Sequence, residues 1–166
     1  KVIDSGIEIV SGKEFLLRYA SDWQERWWQV EVKTVKDIPS PFPRKENTFE
    51  QWLARAKAPN FNPHDFVFAI DHNEVVGVSG SVIFPAEPSQ AGVRFTGVIG
   101  SHRRRGIAKA LKYAATRYVL DTGVEQIVTN NEVNNPMLEI NKALGFKPSY
   151  ECVLYEAEVA QVLRLL

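Results

Sequence analysis

Several features that would place a protein in a specialised class are missing from this sequence. The single cysteine, Cys152, excludes an intramolecular disulfide, which fits a reducing compartment. No apolar run approaches the roughly 20 residues of a membrane-spanning helix, and the first residues lack the apolar stretch of a signal peptide. Twenty basic and twenty acidic residues leave no net charge, so the chain as a whole does not attract nucleic acid or anionic lipid. We therefore expect a cytoplasmic protein without a nucleic-acid or membrane partner.

Length and composition favour a single globular domain. The chain has 166 residues, of which 45% are hydrophobic, enough to build a core of ordinary size. There is no internal repeat and no low-complexity segment. We expect one domain over residues 1–166. Because the chain does not begin with methionine, a second interpretation is that it is one half of a longer tandem protein. A homodimer is also compatible with the sequence.

Hydrophobic spacing predicts an α/β fold around a mixed sheet, in the order strand, two helices, three strands, helix, strand, helix, strand. Trp23 and Trp27 lie on the apolar face of the first helix, whereas Trp28 lies off that face. Residues 71–74 are predicted to form a hairpin turn and residues 85–90 a loop. The predicted strands are 7–10, 66–70, 75–84, 93–99, 124–129 and 150–159, and the predicted helices are 12–33, 48–57, 104–121 and 135–145.

The segment that follows the strand at 93–99 has the composition of an anion site. Three arginines, 103–105, precede Gly106 near a predicted helix start, and Ala108 and Lys109 follow. The first N–H groups of a helix lack internal partners and lie at the positive end of its dipole, which suits a phosphate. Gly106 would let that phosphate approach the backbone. A solvated arginine cluster beside a turn glycine explains the same residues, and neither the dinucleotide fingerprint nor the Walker A loop is present.

The pattern Arg103-x-x-Gly106-x-Ala108 resembles the Q/R-x-x-G-x-G/A motif of the GNAT superfamily of acetyl-CoA-dependent N-acetyltransferases. The resemblance spans roughly residues 93–148 and includes Thr129-Asn130-Asn131 and Leu144-Gly145-Phe146. The branch is similar to the acetyltransferase halves of mycothiol synthase. It implies a mixed, mostly antiparallel central sheet flanked by helices, and transfer of the acetyl group of acetyl-CoA to a primary amine.

The same resemblance implies where the cofactor binds. The CoA pyrophosphate would lie on the arginine–glycine turn. A splayed pair of strands would expose the N–H of Val98 to the acetyl carbonyl, and Asn134 would contact the pantetheine arm or an ordered water. The cofactor-binding residues implied in this way are Val98, Arg103, Arg104, Arg105, Gly106, Ile107, Ala108, Lys109, Asn134 and Asn141.

Three positions depart from the family's pattern. Gly100 replaces a frequent proline, and Arg104 replaces a frequent glycine. Asn141 stands where many members carry a tyrosine that protonates the leaving CoA thiolate. Asparagine has no proton to give at neutral pH, so the role of that tyrosine does not carry over. The branch commonly has asparagine there.

The sequence leaves the catalytic residues unknown. Glu31, Asp37, Glu132 and Glu151 are candidate general bases, although each is an ordinary surface carboxylate in the simplest interpretation. Cys152, the only thiol, is predicted to be a buried strand residue with no neighbouring histidine in sequence, and we identify no plausible nucleophile with an adjacent base. These observations predict direct attack by the amine in a ternary complex, without an acetylated enzyme.

The residues that would line the groove for the acceptor amine are also implied by the resemblance. In the family the first two helices line the acceptor groove, so Trp28, Phe42 and Trp52 would line it here, with the proline-rich segment 37–47 at its border.

Two alternative functions are an acyl-CoA-binding domain without activity and a nucleic-acid binder, although the zero net charge argues against the second. His64 and His72 have no known metal-ligand spacing, so we expect no metal.

Overall fold

The computed structural model describes residues 6–38 and 47–153, together with positions 155, 157, 158 and 164. Five strands in this part form one sheet in the order β1-β2-β3-β4-β5, antiparallel except for the parallel pair β4–β5. The predicted α/β class with a mostly antiparallel sheet is confirmed. The elements are β1 (Glu8–Ser11), α1 (Gly12–Arg18), α2 (Trp23–Val35), α3 (Phe49–Ala56), β2 (Phe66–Asp71), β3 (Glu74–Phe84), β4 (Glu87–Val98), α4 (Ile107–Leu120), β5 (Gln126–Val128) and α5 (Met137–Ala143).

An aromatic cluster forms the centre of the core between α2, α3 and the sheet. Trp27 is fully buried, and its ring centroid lies 4.5 Å from that of Phe66 and 4.9 Å from that of Phe68. Trp52 of α3 meets Trp27 edge to face at 5.6 Å. Offset and edge-to-face pairs add to the stabilisation that burial of large rings supplies. This cluster confirms the predicted apolar face of α2 and fixes the helix against the sheet.

The β2–β3 hairpin is present where the sequence predicts it. His72 and Asn73 form its turn with φ values of 44° and 69°, the left-handed pair that matches the twist of a tight hairpin. The helix α5 also agrees, because Asn135 Oδ1 accepts a hydrogen bond from Met137 N at 2.9 Å and Gly145 has a φ of 90° at the other end. Polar turn chemistry made both elements predictable.

Two boundaries differ from the prediction. The helix predicted over 12–33 is two helices, because Asp22 has a φ of −141°, which is not helical. The apolar residues keep three- and four-residue steps across the break, so the spacing of the sequence does not reveal where the first helix ends. The loop predicted at 85–90 is only a two-residue turn, and β4 already begins at Glu87, which pairs with Phe84.

The strand predicted at 150–159 is wrong for its described residues. Residues 150–153, 155, 157 and 158 lie outside any strand, and Cys152 is exposed rather than buried; the other three residues of the segment lie outside the described part. The neighbouring edge is short, since β5 is three residues long, and offers few partners for a further strand. No helix in the described part is both long and apolar enough to cross a bilayer.

Candidate active site

The arginine–glycine turn lies before α4 and not within it. Arg104 and Gly106 have φ values of 64° and 81°, so both are left-handed, and the helix starts at Ile107 rather than near Arg104. Gly106 caps α4 without any side-chain hydrogen bond. By contrast, the helices α1 and α3 are capped by Ser11 and Thr48, each in a reciprocal capping box. The first amides of α4 are therefore left free of a side-chain acceptor, at the positive end of the helix.

Two of the three arginines are anchored to the fold. Arg103 Nε donates to the carbonyl oxygen of Val98 at 3.0 Å, and its guanidinium also pairs with Asp37. Arg105 lies 3.6 Å from a carboxylate oxygen of Asp71. Arg104 is exposed. A cluster that is merely solvated would not be tied to two other elements, so this geometry disfavours that interpretation for Arg103 and Arg105.

A Ser–His–Asp array lies beside the turn, and sequence reasoning missed it. His102 Nε2 lies 3.0 Å from Asp71 Oδ2, and Ser101 Oγ lies 2.8 Å from His102 Nδ1. The hydrogen bond to His102 lowers the pKa of Asp71. Asp71 is the last residue of β2, far from His102 in sequence, so only the fold brings them together. This contact attaches the hairpin to the segment that precedes α4.

The end of β4 presents its backbone to a gap in the sheet. Ile99 N donates to Val76 O at 3.0 Å. Because bonded and non-bonded pairs alternate along an antiparallel ladder, the amide and carbonyl of Val98 point away from β3 toward β5. β5 pairs with β4 only over residues 90–92. The strands have therefore separated at Val98, which leaves its N–H facing the gap.

Asn141 and Lys112 form a buried polar contact between α5 and α4. Asn141 is 4% exposed and Lys112 is 1% exposed. Lys112 Nζ donates to Asn141 Oδ1, and Asn141 Nδ2 donates to Asn131 Oδ1. The ammonium also lies 5.2 Å from the ring centroid of Phe146. Burial lowers the pKa of Lys112 to about 8. The amide of Asn141 is thus engaged at both ends within the protein.

The remaining predicted cofactor residues differ in what they can offer. The Ile107 side chain is buried in the core, so only its backbone N–H is available to a ligand. Ala108 is half-buried, and Lys109 is exposed in the first turn of α4. Asn134 is exposed ahead of α5.

A cleft of about 420 Å³ opens between α2, α3 and β4. Ile38 and Asn47, which flank the proline-rich segment, both line it; Phe42 lies outside the described residues. Trp28 and Trp52 do not line this cleft: Trp28 packs on Phe49, and Trp52 is buried in the core. The lining residues are Trp27, Glu31, Val35, Ile38, Asn47, Arg55, Phe61, Phe66, Arg94 and Phe95.

Two of the four candidate general bases are already paired with arginines of the protein. Glu31 pairs with Arg55 through one carboxylate oxygen and accepts the Trp52 indole N–H at 2.9 Å through the other. Asp37 pairs with Arg103, whereas Glu132 and Glu151 are exposed. Glu31, the carboxylate among the described lining residues of the cleft, is therefore engaged in internal bonds. Among the described residues, no group of three His, Cys, Asp or Glu side chains could hold a metal ion.

A comparison with known families decides what this arrangement belongs to. The sequence pattern of the Acetyltransferase (GNAT) family matches residues 18–146, most of the chain. The chain belongs to this family. The resemblance noted from the arginine–glycine turn is confirmed, and the GNAT match extends back to α1.

Individual relatives are more distant. Mycothiol acetyltransferase of Arthrobacter sp. (strain FB24) is 28% identical over 113 residues, a match that covers 64% of this chain and 35% of that protein. This chain therefore spans about a third of the length of that curated relative. The branch that the sequence resembles is consistent with this match.

Solved structures show the same fold. The aminoglycoside N-acetyltransferase AAC(6')-Iy in complex with CoA is 17% identical, with a TM-score of 0.58, and the match covers 91% of this chain and 93% of that one. A GCN5-related N-acetyltransferase from Sphaerobacter thermophilus is 19% identical, with a TM-score of 0.63, over 84% of this chain and 41% of that one. At these identities the likeness establishes the GNAT fold.

Proposed function

We propose that this chain transfers the acetyl group of acetyl-CoA to a small primary amine. One observation carries the proposal: the uncapped start of α4 lies at the end of the strand whose Val98 amide faces a gap in the sheet. The first feature suits a phosphate and the second suits an acyl oxygen. Membership of the GNAT family and the CoA held by one structural neighbour support the same pairing.

The pyrophosphate of CoA would bind to the backbone from Arg103 to Lys109. Gly106 leaves room for a phosphate oxygen at the first amides of α4, and the small side chain of Ala108 keeps that approach open. Ile107 would contribute its N–H alone, because its side chain is buried. Arg104, Arg105 and Lys109 would add positive charge, which strengthens hydrogen bonds to phosphate oxygens.

The acetyl group would lie in the gap between β4 and β5. There the Val98 N–H would donate to the thioester carbonyl and stabilise the oxyanion that forms on attack. The amine nitrogen would bond to the carbonyl carbon, the C–S bond would break with its electron pair remaining on sulfur, and the proton that the nitrogen loses as the amide forms would pass to the thiolate or to water. Asn134 would contact the pantetheine arm or an ordered water.

The amine would enter through the cleft between α2, α3 and β4. Asp37, at the end of α2, pairs with Arg103 of the cofactor turn, and the next residue, Ile38, lines the cleft. The two sites are therefore neighbours. An alkyl amine has a pKa near that of a lysine, about 10, so it must lose a proton before attack, either to a water or to a carboxylate not yet identified.

A second candidate function is an acyl-CoA-binding domain without activity. It is favoured by Asn141, which stands where many relatives carry the proton-donating tyrosine and whose amide is engaged internally. The two candidates share the cofactor site and differ in turnover. Consumption of acetyl-CoA with any member of a panel of primary amines supports the enzyme, whereas CoA binding without turnover supports the binding domain.

Calorimetric titration with CoA tests the cofactor site. Gly106→Asp and Gly106→Asn place side chains of equal size at a left-handed position that both tolerate, and they differ in charge. We expect Gly106→Asp to abolish binding and Gly106→Asn to retain part of it. Gly100→Ala is the control, because a Cβ there meets nothing within 4 Å. An unchanged affinity in Gly106→Asp would place the cofactor elsewhere.

A further inference from the structure

The charge of the cleft gives information about the acceptor. Among the described residues, three charged side chains line it: Glu31, Arg55 and Arg94. Glu31 and Arg55 neutralise each other, and the second oxygen of Glu31 accepts the Trp52 indole. Each oxygen of the carboxylate thus already accepts one hydrogen bond and its charge is balanced by Arg55, so among the described lining residues the charge left over is that of Arg94.

Arg94 reaches the cleft because β4 is irregular there. Gly80 pairs with Phe95 and Ser81 pairs with Val93, so Arg94 is an extra residue in the strand. Consecutive residues of a regular strand face opposite sides of the sheet. Arg94 and Phe95 nevertheless line the same cleft, which is the re-aiming of a side chain that a β-bulge produces.

The surroundings of Arg94 hold the guanidinium while leaving most of its donors available. Arg94 Nη1 donates to Asn60 O at 3.2 Å, and the guanidinium lies 5.7 Å from the ring centroid of Phe61. A guanidinium has five N–H donors. Asp65 is close enough for Arg94 to oppose the rise in pKa that burial causes in that carboxyl, but no salt bridge joins them among the described residues.

The rest of the wall is aromatic and poor in acceptors. Phe61, Phe66, Phe95 and Trp27 supply ring surface. The indole N–H of Trp27 is itself buried, so it offers the cleft no donor. An apolar body would thus be packed by rings, while Arg94 supplies charged donors beside it. Such a site favours oxygen anions over ammonium groups.

We propose that Arg94 binds a carboxylate of the acceptor, so that the substrate class is an amine with an apolar or aromatic body and a carboxylate at the opposite end. This inference rests on the proposed function, which puts the amine beside Val98. Four residues of extended strand separate the two positions, about 13 Å between Cα atoms, so the amine and the carboxylate must lie at different ends. A polycationic acceptor would place a second ammonium against Arg94 and be disfavoured.

Three probes of one shape test the proposal by calorimetric titration, with and without CoA. They are 4-(aminomethyl)benzoate, 4-methylbenzylamine and 1,4-bis(aminomethyl)benzene, which place a carboxylate, a methyl group or a second ammonium opposite the amine. We expect the benzoate to bind about tenfold tighter than the methyl compound and the diamine to bind most weakly. Arg94→Gln should remove the preference without changing CoA affinity. Arg117→Gln, an exposed arginine on α4, should leave everything unchanged.

Equal binding of the three probes, a preference for the diamine, no binding of the benzoate, or a preference that persists in Arg94→Gln would each overturn the proposal. Failure of the proposed function has a different signature: the wild-type chain would then either not bind CoA, or bind it without turnover of any primary amine in the panel. The ranking of the probes measured without CoA still decides the role of Arg94 in that case.

Discussion

The Nε atom of Arg103 donates a 3.0 Å hydrogen bond to the carbonyl oxygen of Val98, while the other end of the same guanidinium pairs with Asp37. One side chain thus connects the cofactor turn, the end of β4 and the end of α2. The carbonyl that it holds belongs to the residue whose amide faces the gap. Arg103 is therefore placed to hold Val98 through its carbonyl, while the N–H that would polarise the acetyl group lies in the preceding peptide plane of the same residue, and it also adds charge near phosphate.

We expect Arg103→Ala to weaken CoA binding and acetyl transfer together. A hydrogen bond from a charged donor contributes about 1.5–3 kcal/mol, which corresponds to a loss of about 10- to 150-fold in affinity. Arg103→Lys keeps the charge but not the forked geometry, so it should fall in between. Calorimetry with CoA and the KM for acetyl-CoA measure the effect, with Arg117→Ala as the control. Wild-type values in Arg103→Ala would show that the bridge is incidental.

Arg104 is strained, and its replacement should stabilise the fold. A left-handed conformation costs a residue with a Cβ about 1–2 kcal/mol, whereas glycine loses about 0.5–1 kcal/mol through the greater freedom of the unfolded chain. We expect Arg104→Gly to raise the free energy of unfolding by about 0.5–1 kcal/mol in urea titrations. Arg104→Ala removes the charge but keeps the strain, so it should show no such gain. Equal stability of the two variants would contradict the strain.

The elements that the sequence predicted well are those with local chemical markers. Thr48 caps α3, and the turn around His72 and Asn73 closes the hairpin. The break at Asp22 and the early start of β4 at Glu87 have no comparable marker in the sequence. At Asp22 the helix is interrupted while the apolar residues keep their helical spacing. The strand predicted at 150–159 is absent over its described residues. A hydrophobic pattern indicates that a segment could pack one face on the core, but it does not show that a neighbouring strand is there to pair with it.

Lys112 should make the stability of the protein depend on pH. Burial lowers its folded pKa to about 8 from the ordinary value of 10.5, so between these values the unfolded chain binds more protons, and stability rises with pH. We expect the stability difference between Lys112→Met and wild type to shift by about 3 kcal/mol in favour of wild type from pH 7 to pH 10.5. Urea unfolding at a series of pH values measures this shift. Lys142→Met, at an exposed position, is the matched control. A stability difference between Lys112→Met and wild type that does not change with pH would refute the lowered pKa of Lys112.

The candidate site was only partly predictable for a related reason. The arginine–glycine turn is contiguous, so a resemblance could identify it from residues 103–108 alone. Asp71 beside His102, Lys112 beside Asn141 and Arg94 beside Phe95 are products of the fold. The first two join residues distant in sequence, and the third needs a bulge that strand periodicity does not reveal.

The acetyl group should pass directly to the amine, although two described side chains, Cys152 and Ser101, have the chemistry of nucleophiles. Cys152 is exposed and lies outside any strand. Ser101 has His102 at 2.8 Å and Asp71 behind it, an arrangement that activates hydroxyls elsewhere. Ser101, however, belongs to the short turn that leads into the cofactor turn, where the pyrophosphate rather than the thioester is expected. His102 and Asp71 already serve to attach the hairpin there.

We therefore expect Cys152→Ala and Ser101→Ala to keep most of the acetyl-transfer activity. Double-reciprocal plots of initial rate against each substrate should intersect, because both substrates must be bound before the C–S bond breaks. Acetyl-CoA labelled in the acetyl group should leave no label on the protein after CoA is removed. Parallel lines or a retained label would instead establish an acetylated enzyme, and loss of activity in Ser101→Ala with CoA affinity intact would contradict the expectation that Ser101 is dispensable. The label in that case would identify which oxygen or sulfur had attacked.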